Sequence, residues 1–447
     1  DYSAITCPVY AIGGWSDAYS NAIPRLLAGL NVPRKGLIGP WAHLYPHDGV
    51  PGPAIGFLQE ALRWWDQWLK GKDTGIMSEP VLRVWMQESV RPRPFHKERP
   101  GRWVAESQWP SPHITPRRYS ISPEQLSSRP TEERQVDFRS PPTTGLCAGE
   151  WCGFGAPGEA PTDQRVDDGC SLTFDSEEFP ERLEILGSPV ATLEFATDQR
   201  VAFVAVRLND VAPDGTSARV TYGLLNLTHR DSHEHPEPLE PGKRFSIRVT
   251  MNDVAYAFPA GHKLRLALST AYWPIAWPTP KPVTLSFFAG KSFLDLPVRA
   301  PDPSDAVLKA FEPPERAAAE LTERRPPAVK RILERDRTTN ETVYTVSSGA
   351  GTIESPKLTH IKAIDLETGQ TMLKCFRIDE EDPATARAEV NLKTWFCRGV
   401  WKTRVETHTR LASNSDEFIL EAEITAYEND EQFFRREWVG RVKRDLL

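Results

Sequence analysis

Residues 5–17 are Ile-Thr-Cys-Pro-Val-Tyr-Ala-Ile-Gly-Gly-Trp-Ser-Asp, and they set the architecture of the N-terminal part of the chain. The apolar run over residues 5–12 ends at Gly13-Gly14, which predicts a buried strand of the parallel type that stops at a turn. A second short strand is predicted over residues 35–40, where Gly39-Pro40 ends it. The chain therefore begins with two short, buried strands.

Two helices are predicted beside these strands. Residues 20–30 have apolar side chains at helical spacing, with Ser20 as the N-cap. Residues 55–70 form a strongly amphipathic pattern that Gly71 ends. One face of this second helix carries four apolar side chains, which are Leu58, Leu62, Trp65 and Leu69. The strand–helix–strand–helix order over residues 1–78 predicts the C-terminal part of an α/β domain.

The pattern changes to short alternating runs in the second part of the chain, where clusters of Pro, Gly and Asp separate the runs. Regular short strands over residues 79–300 predict a β-sandwich of the jelly-roll type, interrupted by a loop excursion at 124–170. Residues 301–328 are rich in Pro and charge and are predicted to be a linker. Residues 329–447 are predicted to be a further β-rich unit, so the fold class is α/β plus all-β.

Composition narrows the class of protein. The 447 residues have a net charge of −7, which argues against nucleic-acid and anionic-membrane partners. No apolar run approaches the ~20 residues that a membrane-spanning helix needs. The six cysteines are sparse and show no C-x-x-C spacing, which favours a reduced, cytoplasmic protein. A bond between Cys147 and Cys152 is the alternative for an oxidising compartment.

The loops that follow the two predicted strands carry an acid and a base. Gly13-Gly14-Trp15-Ser16-Asp17 follows the first strand, and Gly39-Pro40-Trp41-Ala42-His43 follows the second. Adjacent parallel strands would bring Asp17 and His43 together, in the order that a Ser-His-Asp hydrolase uses. The carboxylate would fix the imidazole tautomer that takes a proton from a serine hydroxyl. Taken singly, Asp17 also suits a helix cap and His43 a loop histidine, but their joint context favours the triad.

These two motifs resemble those of the cocaine-esterase and X-prolyl dipeptidyl aminopeptidase (CocE/NonD) family. The helix end Trp64-Trp65-Asp66-Gln67-Trp68-Leu69-Lys70-Gly71 is also similar to that family, as are residues 252–266, 269–274 and 382–389. The resemblance implies the end of an α/β-hydrolase domain followed by a jelly roll. It also implies an enzyme that acts on ester or amide acyl groups of a small or peptide substrate. No metal or other cofactor is predicted.

The nucleophile of the resembled family has no counterpart in this sequence. That family carries its serine in a G-x-S-x-G turn upstream of the Asp motif, and no such turn is present here. Ser16 is a poor substitute, because consecutive side chains such as those of Ser16 and Asp17 point apart. Because the chain starts with Asp1 rather than Met, we expect it to continue a longer protein or to begin at a processing point. The serine is then expected from an N-terminal hydrolase segment or a partner chain, and this chain alone is expected to be inactive.

Aromatic residues are the candidates for the substrate cleft, namely Trp15, Trp41, Tyr272 and Trp273. For the last two, packing against the α/β domain is the alternative. His233 and His235 would share a strand face but lack a third ligand, so a solvated loop is favoured over a metal site. His262 is predicted to be a structural hydrogen-bonding residue.

A second class of function is left open by the sequence. Jelly rolls often bind other molecules on a concave face, so the chain could be a carbohydrate- or protein-binding sandwich or a scaffold subunit. Asp17 and His43 would then be relics of a hydrolase. A homo-oligomer is also left open.

Overall fold

The computed structural model describes residues 2–318, 320–325, 328–348 and 357–447. Pro326 and Pro327 of the predicted linker lie outside the described residues. Within the described part, the strands form sheets of 13, 4 and 9 strands. None of the helices described is both long and apolar enough to cross a bilayer.

Strands and helices alternate in the N-terminal part of the structure. Their bounds are β1 (Val9–Gly14), α1 (Ala22–Gly29), β2 (Arg34–Gly39), α2 (Phe57–Leu69) and β3 (Leu82–Glu88). The three strands are adjacent and parallel, with Gly14 opposite Gly39. Helix α1 covers one face, where Ile23 and Leu27 are buried. Its N-cap is Asn21 rather than the predicted Ser20, and no side chain caps the helix.

Helix α2 leaves its apolar stripe exposed. Its inner face buries Glu60 and Trp64, and the Trp64 ring lies 5.3 Å from the ring of Tyr10 on β1. The outer face carries four apolar side chains that are between 43% and 74% exposed, namely Leu58, Leu62, Trp65 and Leu69. An amphipathic helix ordinarily buries such a stripe, and contiguous exposed apolar surface marks a site of interaction.

The next part of the chain is almost entirely β. Its elements are β4 (Gly101–Glu106), β5 (Ile114–Ile121), β6 (Leu126–Ser127), β7 (Arg134–Phe138), α3 (Arg165–Gly169), β8 (Leu172–Asp175), β9 (Leu183–Gly187), β10 (Val190–Thr197), β11 (Phe203–Val211), β12 (Ser217–Asn226), β13 (Phe245–Thr250), β14 (Val254–Phe258), β15 (Lys263–Ser269), β16 (Leu285–Ala289) and β17 (Phe293–Arg299). The large sheet has the order β1-β2-β3-β14-β9-β17-β10-β16-β7, and the small sheet has the order β12-β11-β15-β8. In the large sheet, β4 pairs with β3, β13 with β10, β5 with β17, and β6 with β5. One continuous sheet therefore joins residues 1–78 to the β-rich part.

The main hydrophobic core lies between the large and the small sheet. Phe195 and Phe287 of the large sheet and Val204 and Leu266 of the small sheet are buried in it. The rings of Phe195 and Phe287 are 5.6 Å apart. Alternate residues of each strand face this layer, which is the arrangement of two sheets packed face to face.

A buried ionic network holds the predicted loop excursion on the small sheet. The fully buried Arg207 of β11 lies 3.1 Å from Asp168 of α3, and Arg265 lies 3.1 Å from the same carboxylate. Asp167 accepts hydrogen bonds from the backbone N–H groups of Gly145 and Cys147 at 3.0 and 3.1 Å. Burial raises the pKa of Asp167. These bonds fix the segment that follows Gly145.

The C-terminal part forms a sheet of its own. Its strands are β18 (Leu321–Arg325), β19 (Val329–Arg335), β20 (Glu341–Ser348), β21 (Lys357–Ile361), β22 (Leu366–Asp379), β23 (Arg387–Arg398), β24 (Trp401–Ser413), β25 (Glu417–Glu428) and β26 (Glu431–Lys443). The order is β18-β21-β22-β23-β24-β25-β26, with β20 also beside β22 and β19 beside β20. Trp273 is buried against Ile378 and Phe376, and the Trp277 ring contacts Phe418.

Part of the predicted linker packs against the N-terminal strands. Phe311 stands edge-on to Trp103 with ring centroids 5.0 Å apart, and the Arg83 guanidinium lies 3.9 Å from the Phe311 ring. The carbonyl of Glu312 accepts a hydrogen bond of 2.7 Å from the N–H of Gly56, just before α2. This part of residues 301–328 is therefore docked on the α/β part. The described residues also contain six short 3₁₀ helices, at Pro46–Asp48, Ile76–Ser78, Leu227–His229, Pro303–Val307, Lys362–Ile364 and Pro383–Thr385.

Replacing Arg207 tests the buried network. Arg207→Met removes one partner of a buried ion pair and is expected to lower the free energy of unfolding by about 3 kcal/mol. Arg118→Met is the control, because Arg118 pairs with Asp295 at the surface, where such pairs contribute little. Denaturant unfolding monitored by tryptophan fluorescence measures both variants. Equal stabilities of the two variants would show that the network does not hold the fold.

Candidate active site

Asp17 and His43 form a hydrogen-bonded pair at the carboxyl ends of two parallel strands. Asp17 Oδ2 lies 3.0 Å from His43 Nδ1. The Asp17 side chain is 12% exposed and that of His43 is 46% exposed, so the carboxylate supports a ring that faces the outside. Asp17 Oδ1 accepts the N–H of Tyr19 at 3.2 Å, which fixes the carboxylate orientation. The pair can hold the imidazole in one tautomer and stabilise its protonated form.

Tight packing of the two loops explains the glycines in their motifs. Ser16 donates its N–H to the Trp41 carbonyl at 3.0 Å, and Trp15 donates its N–H to the Gly39 carbonyl at 2.8 Å. A Cβ added to Gly14 would lie 1.9 Å from the carbonyl oxygen of Trp41. Glycine is therefore required where the loop after β1 crosses the loop after β2, and this crossing sets the distance between Asp17 and His43.

A collar of exposed aromatic side chains surrounds the His43 ring. The ring centroid of Tyr19 is 5.7 Å from that of His43, and Phe154 stands edge-on at 5.4 Å. Trp151 contacts Tyr19 at 5.9 Å. The backbone N–H of His43 donates to the Gly153 carbonyl at 2.8 Å, and this bond joins the excursion to the loop that carries His43. The three collar residues are exposed, so they offer an apolar surface beside the imidazole.

A cavity of about 200 Å³ opens next to Asp17. Asp17, Trp151, Arg99 and Asp253 are among its lining residues. Burial raises the pKa of Asp253, which receives a hydrogen bond of 2.8 Å from the Ser188 hydroxyl. Burial also lowers the pKa of Arg99. The lining of the cavity therefore combines an aromatic side chain, Trp151, with the charged groups of Arg99 and Asp253.

The four aromatic residues that were predicted to line the substrate cleft lie in different parts of the structure. Trp15 lines the cavity and donates its indole N–H to the Trp85 carbonyl at 2.8 Å. Trp41 is fully buried and donates its indole N–H to the Pro53 carbonyl, so it supports the His43 loop from below. Tyr272 is buried beneath Arg219, which donates to its hydroxyl at 2.7 Å. Trp273 contacts the C-terminal sheet rather than the α/β part.

The other predicted polar residues have local roles. The Ser16 hydroxyl donates to the Pro40 carbonyl at 3.0 Å. His262 Nδ1 lies 2.7 Å from a carboxylate oxygen of Asp210, a structural contact on the sandwich. His233 and His235 are exposed in a loop. All six cysteines are free, including Cys147 and Cys152.

The excursion contributes residues to the site that the sequence analysis did not predict. Trp151, Cys152 and Phe154 lie more than 100 positions after His43, in a segment without periodicity. The dense Trp-Cys-Gly-Phe run at 151–154 is the only local signal. Their position beside His43 comes from tertiary contacts of the excursion, such as the bond between the Gly153 carbonyl and the backbone N–H of His43.

Comparison with known proteins places this chain among hydrolase relatives. The family model of the X-Pro dipeptidyl-peptidase C-terminal non-catalytic domain matches residues 74–306. A putative serine esterase of Mycobacterium bovis is 27% identical over 303 residues, covering 61% of this chain and 46% of the relative. The cocaine esterase of Rhodococcus sp. is 20% identical over 295 residues, covering 60% of this chain and 50% of the relative. The chain thus spans about half the length of these relatives.

Solved structures show a similar fold. An aminopeptidase from a marine-sediment Thaumarchaeota archaeon matches with a TM-score of 0.53 at 17% identity, covering 66% of this chain and 56% of that chain. A CocE/NonD family hydrolase from Staphylococcus aureus matches with a TM-score of 0.51 at 13% identity, covering 66% and 55%. At these identities the likeness concerns the fold alone.

Gly14→Ala tests the loop crossing. Because the added methyl group would overlap a backbone carbonyl, the substitution is expected to cost about 3 kcal/mol of stability and to separate Asp17 from His43. Gly169→Ala is the matched control, since a Cβ there meets nothing within 4 Å. Denaturant unfolding and the NMR signals of the His43 ring measure the two effects. Equal behaviour of the two variants would contradict the crossing as the constraint.

Proposed function

The chain belongs to the family of the X-Pro dipeptidyl-peptidase C-terminal non-catalytic domain, within the CocE/NonD hydrolases, and we propose that it supplies the acid and the base of a Ser-His-Asp hydrolase. The observation that carries the proposal is the 3.0 Å contact between Asp17 Oδ2 and His43 Nδ1 at the ends of parallel strands. We assign residues 1–78 to an α/β-hydrolase domain and residues 79–300 to a jelly roll. No structural observation favours the carbohydrate-binding alternative.

The reaction we propose is acyl transfer through a serine ester. His43 Nε2 takes the proton of the serine hydroxyl while the serine oxygen attacks the substrate carbonyl carbon. Asp17 stabilises the imidazolium, which then gives its proton to the leaving alcohol or amine as the bond to the carbonyl carbon breaks. Water, deprotonated by the same nitrogen, releases the acid from the serine in the second half of the reaction.

The serine is proposed to come from a further α/β segment that adds to the free edge of β1. Within the described residues, β1 pairs with β2 alone, so its other edge is open to another parallel strand. Helix α2 lies over β1 through the Trp64–Tyr10 contact, and its outer face carries the exposed stripe. A strand and its connecting helix added there would cover Leu62 and Trp65. The same addition would bring a strand-end loop beside His43.

The substrate class we propose is a small ester, amide or X-Pro peptide with an apolar group near the scissile bond. Tyr19 and Phe154 would contact that group, since their rings lie 5.7 and 5.4 Å from the imidazole, and Trp151 extends this surface through its contact with Tyr19. The adjacent cavity, with Asp253 and Arg99 in its wall, would take the polar part of a substrate. The free cysteines suit a reduced, cytoplasmic compartment.

Activity measurements with the triad variants test the mechanism. This chain alone is expected to hydrolyse p-nitrophenyl acetate poorly, and joining it to the serine-bearing segment is expected to restore hydrolysis. In the joined protein, His43→Gln and Asp17→Asn should each lower kcat/KM by about 10⁴-fold. Ready hydrolysis by the chain alone, abolished in His43→Ala, would contradict an external serine. Unchanged activity of the joined His43→Gln protein would contradict the base.

The docking surface can be tested separately from catalysis. The Leu62→Glu/Trp65→Glu double variant places charges on the exposed stripe and should weaken association with the separately expressed serine segment by at least about a hundredfold. Val400→Glu is the control, because Val400 is also apolar and exposed but lies in the turn between β23 and β24. Calorimetric titration measures both. If Val400→Glu weakens binding as much, the stripe is not the docking surface.

A further inference from the structure

Three side chains able to ligate a metal ion converge at the candidate active site. Cys152, on the excursion, joins Asp17 and His43 there. A carboxylate oxygen, a ring nitrogen and the thiol sulfur of these residues all lie within 4.8 Å of one another. Across the described ranges, this is the one group of three or more such ligands that meets this distance.

The donor set and its dimensions fit Zn²⁺. This ion takes imidazole, carboxylate and thiolate ligands in a tetrahedron at about 2.0–2.3 Å, which sets the ligand atoms about 3.5 Å apart. Asp17 Oδ2 and His43 Nδ1 are already 3.0 Å apart, so shifts of about 1 Å would complete three corners, with water at the fourth. A thiolate ligand favours Zn²⁺ over Mg²⁺ or Ca²⁺.

The surroundings hold the three residues in place. Asp17 Oδ1 accepts a hydrogen bond from the backbone N–H of Tyr19 at 3.2 Å. The backbone N–H of His43 donates to the carbonyl of Gly153, the residue after Cys152. The cysteine segment and the histidine loop are thus joined by their backbones. Outer contacts of this kind orient metal ligands and raise affinity.

The charge at the site is also suitable for a cation. The Asp17 carboxylate and the Cys152 thiol offer ligand atoms within 4.8 Å of each other, beside the His43 ring. A divalent ion would supply the positive charge that stabilises both the carboxylate and a thiolate.

We propose that Asp17, His43 and Cys152 bind Zn²⁺, and that the ion reversibly inhibits the hydrolase proposed above, on which the inhibitory role rests. The Cys152 thiol releases its proton to water as the zinc–sulfur bond forms. The ion takes His43 Nδ1, so the neutral ring carries its proton on Nε2. That nitrogen can no longer accept the serine proton, and the Asp17 carboxylate no longer stabilises the imidazolium.

Metal titration of the chain alone tests the site without any catalysis. Co²⁺, as a spectroscopic substitute for Zn²⁺, is expected to bind one equivalent and to show a thiolate charge-transfer band. Cys152→Ser should remove the band, and both Cys152→Ser and His43→Gln should weaken Zn²⁺ binding at least tenfold in calorimetry. Cys147→Ser and the His233→Gln/His235→Gln double variant are the matched controls. Retention of the band in Cys152→Ser, or its loss in either control, would overturn the site.

Inhibition of the joined, active protein tests the consequence. Zn²⁺ is expected to abolish hydrolysis, a chelator to restore it, and Cys152→Ser to raise the inhibitory Zn²⁺ concentration at least tenfold relative to Cys147→Ser. Tight Zn²⁺ binding without inhibition would overturn the inhibitory role. The binding measurement uses no substrate, so its failure would leave the proposed hydrolase intact.

Discussion

The parallel pairing of β1 with β2 is the constraint on which the candidate site depends. Their register sets Gly14 opposite Gly39, so the two strands end at the same level and their loops cross immediately. The crossing leaves no room for a side chain at Gly14. The buried indole of Trp41 then supports the second loop from beneath. Asp17 and His43 meet as a consequence of this backbone geometry.

The rest of the site is built from distant parts of the chain. The excursion places Cys152 and Phe154 beside His43, and it is held by Asp167 and the Arg207–Asp168 pair on the small sheet. The two packed sheets therefore take part in building the site itself. Because they anchor the excursion, the two sheets supply the wall of the cavity beside Asp17. The stability of the buried ionic network and the shape of that cavity are therefore linked.

The sequence predicts well those features that depend on residues close together along the chain. The Asp17 and His43 motifs follow short apolar runs, and the spacing alone indicates that two strand ends carry an acid and a base. Helices α1 and α2 are predicted within two residues of their observed bounds, whereas α3 lies in the segment that was predicted to be a loop. Tertiary packing is where the sequence is insufficient. Tryptophan suits a cleft and a core equally, so Trp41 and Trp273 could be placed only once their neighbours were known.

The stripe on α2 shows the same limit in another form. Its periodicity indicates an apolar face, and the structure leaves that face exposed. A pattern of this kind specifies that a surface will be covered, but not by which part of a protein. The exposed stripe and the open strand edge are the two features on which the proposed docking of a serine-bearing segment rests.

Labelling with a fluorophosphonate, which reacts with serines activated by a neighbouring base, tests the central claim most directly. We predict that the joined protein is labelled on one serine outside residues 1–447 and that His43→Gln abolishes the labelling. Peptide mapping by mass spectrometry would identify the residue. Labelling of Ser16 or another serine of this chain, or labelling that persists in His43→Gln, would contradict the account.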